Sequence, residues 1–174
     1  MFRPECTFEN FVVGSHNELA FQSALRVAND GPSTQPPSNP LFIYGLGFDR
    51  LHLAQAIANR ATANGFTVEY VTFRGFAAGL KKAQQVDSLE EFRQRFRTPD
   101  FLVVDDIQAI IHNRQAQQEF FHTLDDLIRA NHQVVLSSDR SPNLIPLQQL
   151  GPEIHSRFVW GLVVDIQEKP QHYG

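Results

Sequence analysis

Apolar positions in this chain alternate between two periods. Short, nearly continuous apolar or β-branched runs occur at Leu41–Tyr44, Thr67–Phe73, Phe101–Val104, Gln133–Leu136 and Gly161–Ile166, the pattern of strands covered on both faces. Between them, apolar residues return every three or four positions. Leu19, Phe21, Ala24, Leu25 and Ala28 predict a helix stopped by Asn29, Asp30 and Gly31, and Leu53, Ala56, Ile57 and Ala61 predict one over 50–64 stopped by Gly65. Two short helices are expected over 76–85 and 89–96. A long one spans 114–130 with Phe120, Phe121, Leu124, Leu127 and Ile128 inward, and a last one spans 147–158. Residues 7–13 read as an extended leading segment anchored by Phe8 and Phe11, ending in a turn that makes Asn17 a helix cap. Ser88 with Glu91 forms a capping box, and Glu91 with Arg95 an i,i+4 ion pair. Strands alternating with helices predict an α/β fold, a parallel sheet between helical layers. Residues 31–40, with Pro32, Pro36, Pro37 and Pro40, form a connector inside one domain covering 1–174.

Composition narrows the function classes. A net charge of −4 and pI near 5.9 argue against a dedicated nucleic-acid-binding domain. Cys6 is the lone cysteine, so no internal disulfide forms and a reducing cytoplasm is expected. Neither a signal core nor a membrane-length apolar run is present, so no membrane partner is expected. The seven histidines show no ligand spacing. Arg93, Arg95, Arg97, Lys81 and Lys82 read as a solvated face balanced by Glu90 and Glu91.

Candidate chemistry lies at the carboxyl ends of the strands, where α/β sheets bind ligands. Gly45-Leu-Gly-Phe-Asp-Arg-Leu51, Asp105-Asp106 and Ser138-Asp139 all fall there. The first has the strand–turn–helix layout of a phosphate loop, in which backbone N–H groups and a helix N-terminus cradle phosphates. That chemistry needs G-x-x-x-x-G-K-[ST]. Gly45 and Gly47 are in place, but Asp49, Arg50 and Leu51 stand where glycine, lysine and serine or threonine belong. The stretch is therefore either a joining loop or a residual nucleotide site. Asp105 and Asp106 are either Mg²⁺ ligands or an acidic pair that is solvated or bound to Arg50.

Six blocks, in order, match one family: Thr7–Gly14, Asn39–Gly45, Phe101–Gln108, Glu119–Thr123, Leu136–Arg140 and Ser156–Gly161. The chain resembles the ATPase domain of the bacterial DnaA replication initiators and their Hda-type relatives, of the AAA+ class. The resemblance implies a P-loop-type αβα sandwich with a five-stranded parallel sheet. It places Phe8 and Val12 at an adenine pocket, Asp105 at the Walker B position that holds Mg²⁺, and Asp106 where an acid orients water. It makes Asp139 the γ-phosphate sensor and Arg157 an arginine finger acting on a neighbouring subunit. The departures are the Asp49, Arg50 and Leu51 positions, a loop one residue short, and Glu153 for an expected arginine. Asn113 and Gln115 stand at positions that are basic in the family. The helical lid, helix-turn-helix and helicase-interaction segments lie outside the sequence, so independent recognition of double-stranded DNA is not expected. The expected function is participation in, or regulation of, chromosomal replication initiation by contact with an initiator or similar AAA+ protein, without ATPase activity or cofactor. The alternatives are a weak ATPase using ATP and Mg²⁺, or a truncated remnant.

Overall fold

A computed structural model describes residues 2–32 and 38–169. Half of the proline-rich connector, residues 33–37, lies outside the described residues. Each apolar run forms a strand: β1 (Leu41–Gly45), β2 (Val68–Thr72), β3 (Phe101–Asp105), β4 (Gln133–Ser138) and β5 (Leu162–Ile166). They make one five-stranded sheet in the order β2-β3-β4-β1-β5, every pair parallel. The helices are α1 (Glu18–Asp30), α2 (Asp49–Ala63), α3 (Phe73–Gln85), α4 (Leu89–Arg97), α5 (Arg114–Arg129), α6 (Leu147–Leu150) and α7 (Pro152–Phe158).

Alternation along the strands sorts the core into two layers. Leu41, Ile43, Phe101, Val103, Val135 and Val164 pack with Phe8, Phe11, α1 and α2 on one face. Phe42, Leu102, Val104, Val134 and Leu136 pack with α3, α4, α5 and α7 on the other. Phenylalanine dominates that second layer: the Phe76 ring lies 5.0–6.0 Å from those of Phe73, Phe92, Phe96 and Phe120.

Several local expectations yield to tertiary partners. The second strand ends early because Thr72 Oγ1 accepts the Gly75 N–H and starts α3 at Phe73. The helix expected over 147–158 is broken at Gly151, whose φ of 84° ends α6 before Pro152 opens α7. A 3-10 turn at Ile107–His112, not anticipated from periodicity, carries the chain off β3. Leu19, one of the positions whose spacing predicts α1, is exposed, and Ala20, Ala24, Val27 and Ala28 lie in its buried stripe. Neither Asn17 nor Ser88 makes a side-chain cap, so the capping box does not form.

The arginines of α4 are not balanced by Glu90 and Glu91. Arg95 reaches Glu69 on β2 rather than Glu91. Arg93 and Arg97 converge on Glu119 of α5 at 2.8 and 2.7 Å, and Arg97 also takes Asp126 at 3.1 Å. The Arg93 hydrogen bond, followed by the Arg97 charge, holds the Glu119 carboxyl below its ordinary 4.5. A carboxylate depressed by folding contributes stability that is present above its unfolded pKa and is lost as pH falls through the folded one. Glu119→Gln is therefore expected to cost about 1 kcal/mol at neutral pH, the partial exposure of Arg93 having been discounted. It also flattens the acid limb below pH 4.5 in urea titrations; an unchanged acid limb would remove Glu119 from the account.

Candidate functional site

β1, β3 and β4 are neighbours, so their carboxyl ends bring the glycine loop, Asp105-Asp106 and Ser138-Asp139 to one edge. The loop is short: β1 ends at Gly45 and α2 begins at Asp49. Gly47 makes the turn at φ 85°, a conformation that costs glycine little.

Asp49 occupies the first turn of α2, where a carboxylate is favoured by the helix dipole. Its Oδ2 accepts from Asn17 Nδ2 at 3.1 Å and lies 3.4 Å from His16 Nε2. Asn17 is engaged in this bridge and not in capping: its Oδ1 accepts the Gly14 N–H, and its Nδ2 also donates to the Val12 carbonyl. An anionic side chain from within the loop therefore sits at the helix N-terminus, fastened to the segment before α1.

Arg50, the next residue, turns to the acid pair. Nη1 donates to Asp105 Oδ1 at 3.0 Å and Nη2 to Asp106 Oδ1 at 2.9 Å. Asp105 is 4% exposed, and both its oxygens are in use: Oδ1 also accepts from Asp106 N–H and Ser137 Oγ, and Oδ2 from the Tyr70 hydroxyl at 3.2 Å. Burial, reinforced by the Asp105 carboxylate, pushes the Tyr70 phenol well above its usual range and keeps it a donor. Asp106 is left-handed at φ 53°, which aims its carboxylate back at Arg50. Gln108 Nε2 donates to Asp106 Oδ1, and Gln108 Oε1 accepts the Asp139 N–H at 3.3 Å. The Asp139 side chain is taken by Arg140, whose guanidinium holds it below the ordinary carboxylate range. A cleft of about 460 Å³ lies beside this group, lined by Arg74, Asp106, Gln108, His112, Asp139 and Arg140 among others.

The remaining expected residues do not join the cluster. Phe8 is buried against Phe21 under Arg60, toward the far half of α2. Val12 is exposed and meets the loop only through its carbonyl on Asn17. Leu51 is half-buried in the first turn of α2. Arg157 stands apart on α7: it pairs with Asp125 at 3.1 Å, not with Glu153, and lies over the rings of Phe121 and Trp160. Sequence reasoning missed Gln55, Tyr70 and Ser137. For Ser137 a signal existed, a buried hydroxyl in the apolar run beside the β3 carboxyl end.

Among known proteins, residues 2–165 match the family described as the Bacterial DnaA ATPase domain. The chromosomal replication initiator protein DnaA of Caldanaerobacter subterraneus subsp. tengcongensis is 44% identical over 167 residues, 94% of this chain and 37% of that protein. The chain thus spans little more than a third of the length of such curated relatives. Among solved structures, replication initiator DnaA bound to AMPPCP and single-stranded DNA superposes with a TM-score of 0.91 at 32% identity, covering 97% of this chain and 52% of that one. Domain III of Thermotoga maritima DnaA gives 0.87 at 37% identity, with 96% and 69% covered.

Proposed function

The chain belongs to the bacterial DnaA ATPase-domain family, and from that premise we propose that it takes part in chromosomal replication initiation through protein contacts, without hydrolysing ATP. One observation carries this reading: Arg50 spans Asp105 and Asp106. A magnesium–triphosphate needs a free carboxylate, a hydroxyl ligand and an unobstructed anion cradle. Here the guanidinium sits on both carboxylates, Leu51 has no hydroxyl, and the Asp49 carboxylate occupies the helix N-terminus. The residues present do not fit the nucleotide. The loop supplies its own anion and its own cation in adjacent residues, and the relative's AMPPCP has no counterpart in this chemistry.

Contact with an initiator or similar AAA+ protein is assigned to the Arg157 edge. Arg157 there lies beside the exposed Val159 and Trp160, an arginine–aromatic pairing common in interface hot spots. Calorimetry is expected to show no saturable heat on addition of micromolar Mg-ATP. Pull-down of a DnaA-type initiator is expected to succeed, and to weaken about tenfold or more with Arg157→Ala. Tight Mg-ATP binding would overturn the first half of the proposal, and capture indifferent to Arg157 the second.

A further inference from the structure

The N-terminal segment, residues 2–9, lies along α2 and is held mainly by it. Asn59 Nδ2 donates to the carbonyls of Arg3 and Cys6, the His52 ring meets the Thr7 carbonyl at 2.7 Å, and Arg60 pairs with Glu9. One attachment leads elsewhere. The Arg3 N–H donates to Gln55 Oε1 at 2.8 Å, Gln55 Nε2 to the Tyr70 oxygen at 3.4 Å, and the Tyr70 O–H to Asp105 Oδ2 at 3.2 Å. Asp105 then meets Arg50. All three bonds run donor to acceptor in one direction, so each polarises the next. The chain starts at the segment's backbone, crosses from α2 to β2, and ends on the acid pair; Gln55 is 5% exposed and Asp105 4%. Tyr70 can accept from Gln55 and donate to Asp105 at once only because it carries a hydroxyl.

We infer that this chain of hydrogen bonds couples the Arg50 clamp to the N-terminal segment: the seating of the Arg50 guanidinium on the acid pair sets how firmly residues 2–9 lie on α2. Tyr70 and Gln55 are positioning residues in it. A guanidinium on Asp105 keeps that carboxylate oriented with Oδ2 toward Tyr70, which fixes the hydroxyl, the Gln55 amide and the Arg3 amide in turn. Withdrawal of Arg50 leaves Oδ1 held only by the Asp106 N–H and the Ser137 hydroxyl; the carboxylate is oriented less firmly, and the far end loosens.

Cys6 reports the far end. It is the only cysteine in the chain, belongs to the segment and is buried there at 2% exposure, and reacts with iodoacetamide only when the segment lifts. Labelling is followed without nucleotide or partner, so its outcome is independent of the functional proposal. Tyr70→Phe keeps the ring that Phe2 touches and removes the hydroxyl with both of its hydrogen bonds; it is expected to speed labelling about fivefold or more, since each buried hydrogen bond alone contributes a few-fold. Arg50→Met is expected to speed labelling about fivefold in the native background and less than twofold in the Tyr70→Phe background. Amide exchange in β4 serves as the clock for global opening, and the rise in labelling must exceed any rise there. Equal acceleration by Arg50→Met in both backgrounds would route the coupling through α2 itself and overturn the inference, as would no acceleration or one matched by β4. If Arg50→Met does not fold, Asp106→Asn removes one of the two charged anchors of Arg50 and is read the same way.

Discussion

Replacing Arg50 with methionine is expected to destabilise the domain by about 3 kcal/mol in urea unfolding. Removing one partner of a largely buried ion pair typically costs about 3–5 kcal/mol, because the remaining charge loses its compensation. The lower bound applies here. Asp105 has 5% of its side chain exposed, but Asp106 has 40%, so water takes over part of the second contact. Methionine fills the volume of the Arg50 stem, which confines the loss to the guanidinium. What remains is two carboxylates in consecutive residues at the end of β3 with no cation between them, a like-charge pair in a low-dielectric setting. Arg50→Lys is the informative intermediate. An ammonium is a point charge that can sit on Asp105 but cannot span both oxygens as the planar fork does. About half the loss is therefore expected. A deficit under about 1 kcal/mol for Arg50→Met would mean that the pair behaves as an exposed surface contact and that the clamp holds nothing in place.

The same residue shows why the site was only partly legible in the sequence. Parallel strands end where ligands bind, so Gly45, Asp105, Asp106 and Asp139 could be placed together from their strands alone, and the structure gathers their elements at one edge. Pairing with Arg50 was one of two open readings for the acids, because sequence spacing says nothing about contacts 55 and 56 positions apart. Gln55 and Tyr70 were invisible for a related reason. A glutamine in an alanine-rich helix and a tyrosine on an edge strand acquire meaning only once the β2–β3 register sets Tyr70 opposite Val103. Local rules failed wherever a distant partner made a better offer. Arg95 left Glu91 for Glu69, and Asn17 gave up a cap for Asp49. The central strands β1, β3 and β4 were legible because a parallel strand buried on both faces is largely apolar, whereas the half-buried edge strand β2 was marked by its β-branched run.

Phe76→Ala is expected to lower stability by about 4 kcal/mol, within the usual 3–5 kcal/mol for truncating a buried phenylalanine. Phe76 is fully buried, and four rings surround it at 5.0–6.0 Å with tilted, stacked and edge-on faces. Each such pair is worth about 0.5–1.5 kcal/mol beyond its area, and none of the four partners can close the gap without leaving its own contacts. Collapse is further opposed because α3 is fixed at its start by the Thr72 cap, while α4 is fixed by the ion pairs of Arg93, Arg95 and Arg97. The variant also separates two kinds of loss. Phe76 belongs to the layer on one face of the sheet, whereas Tyr70 packs against the layer on the other. The costs of Phe76→Ala and Tyr70→Phe should therefore add to within about 0.5 kcal/mol. In Phe76→Ala, Cys6 labelling should rise only as far as amide exchange in β4 rises, because the route from Arg50 to Arg3 is untouched. Labelling that outran β4 in this variant would show the N-terminal segment answering to the core as a whole, in which case the hydrogen-bonded route through Tyr70 would have no privileged hold on it.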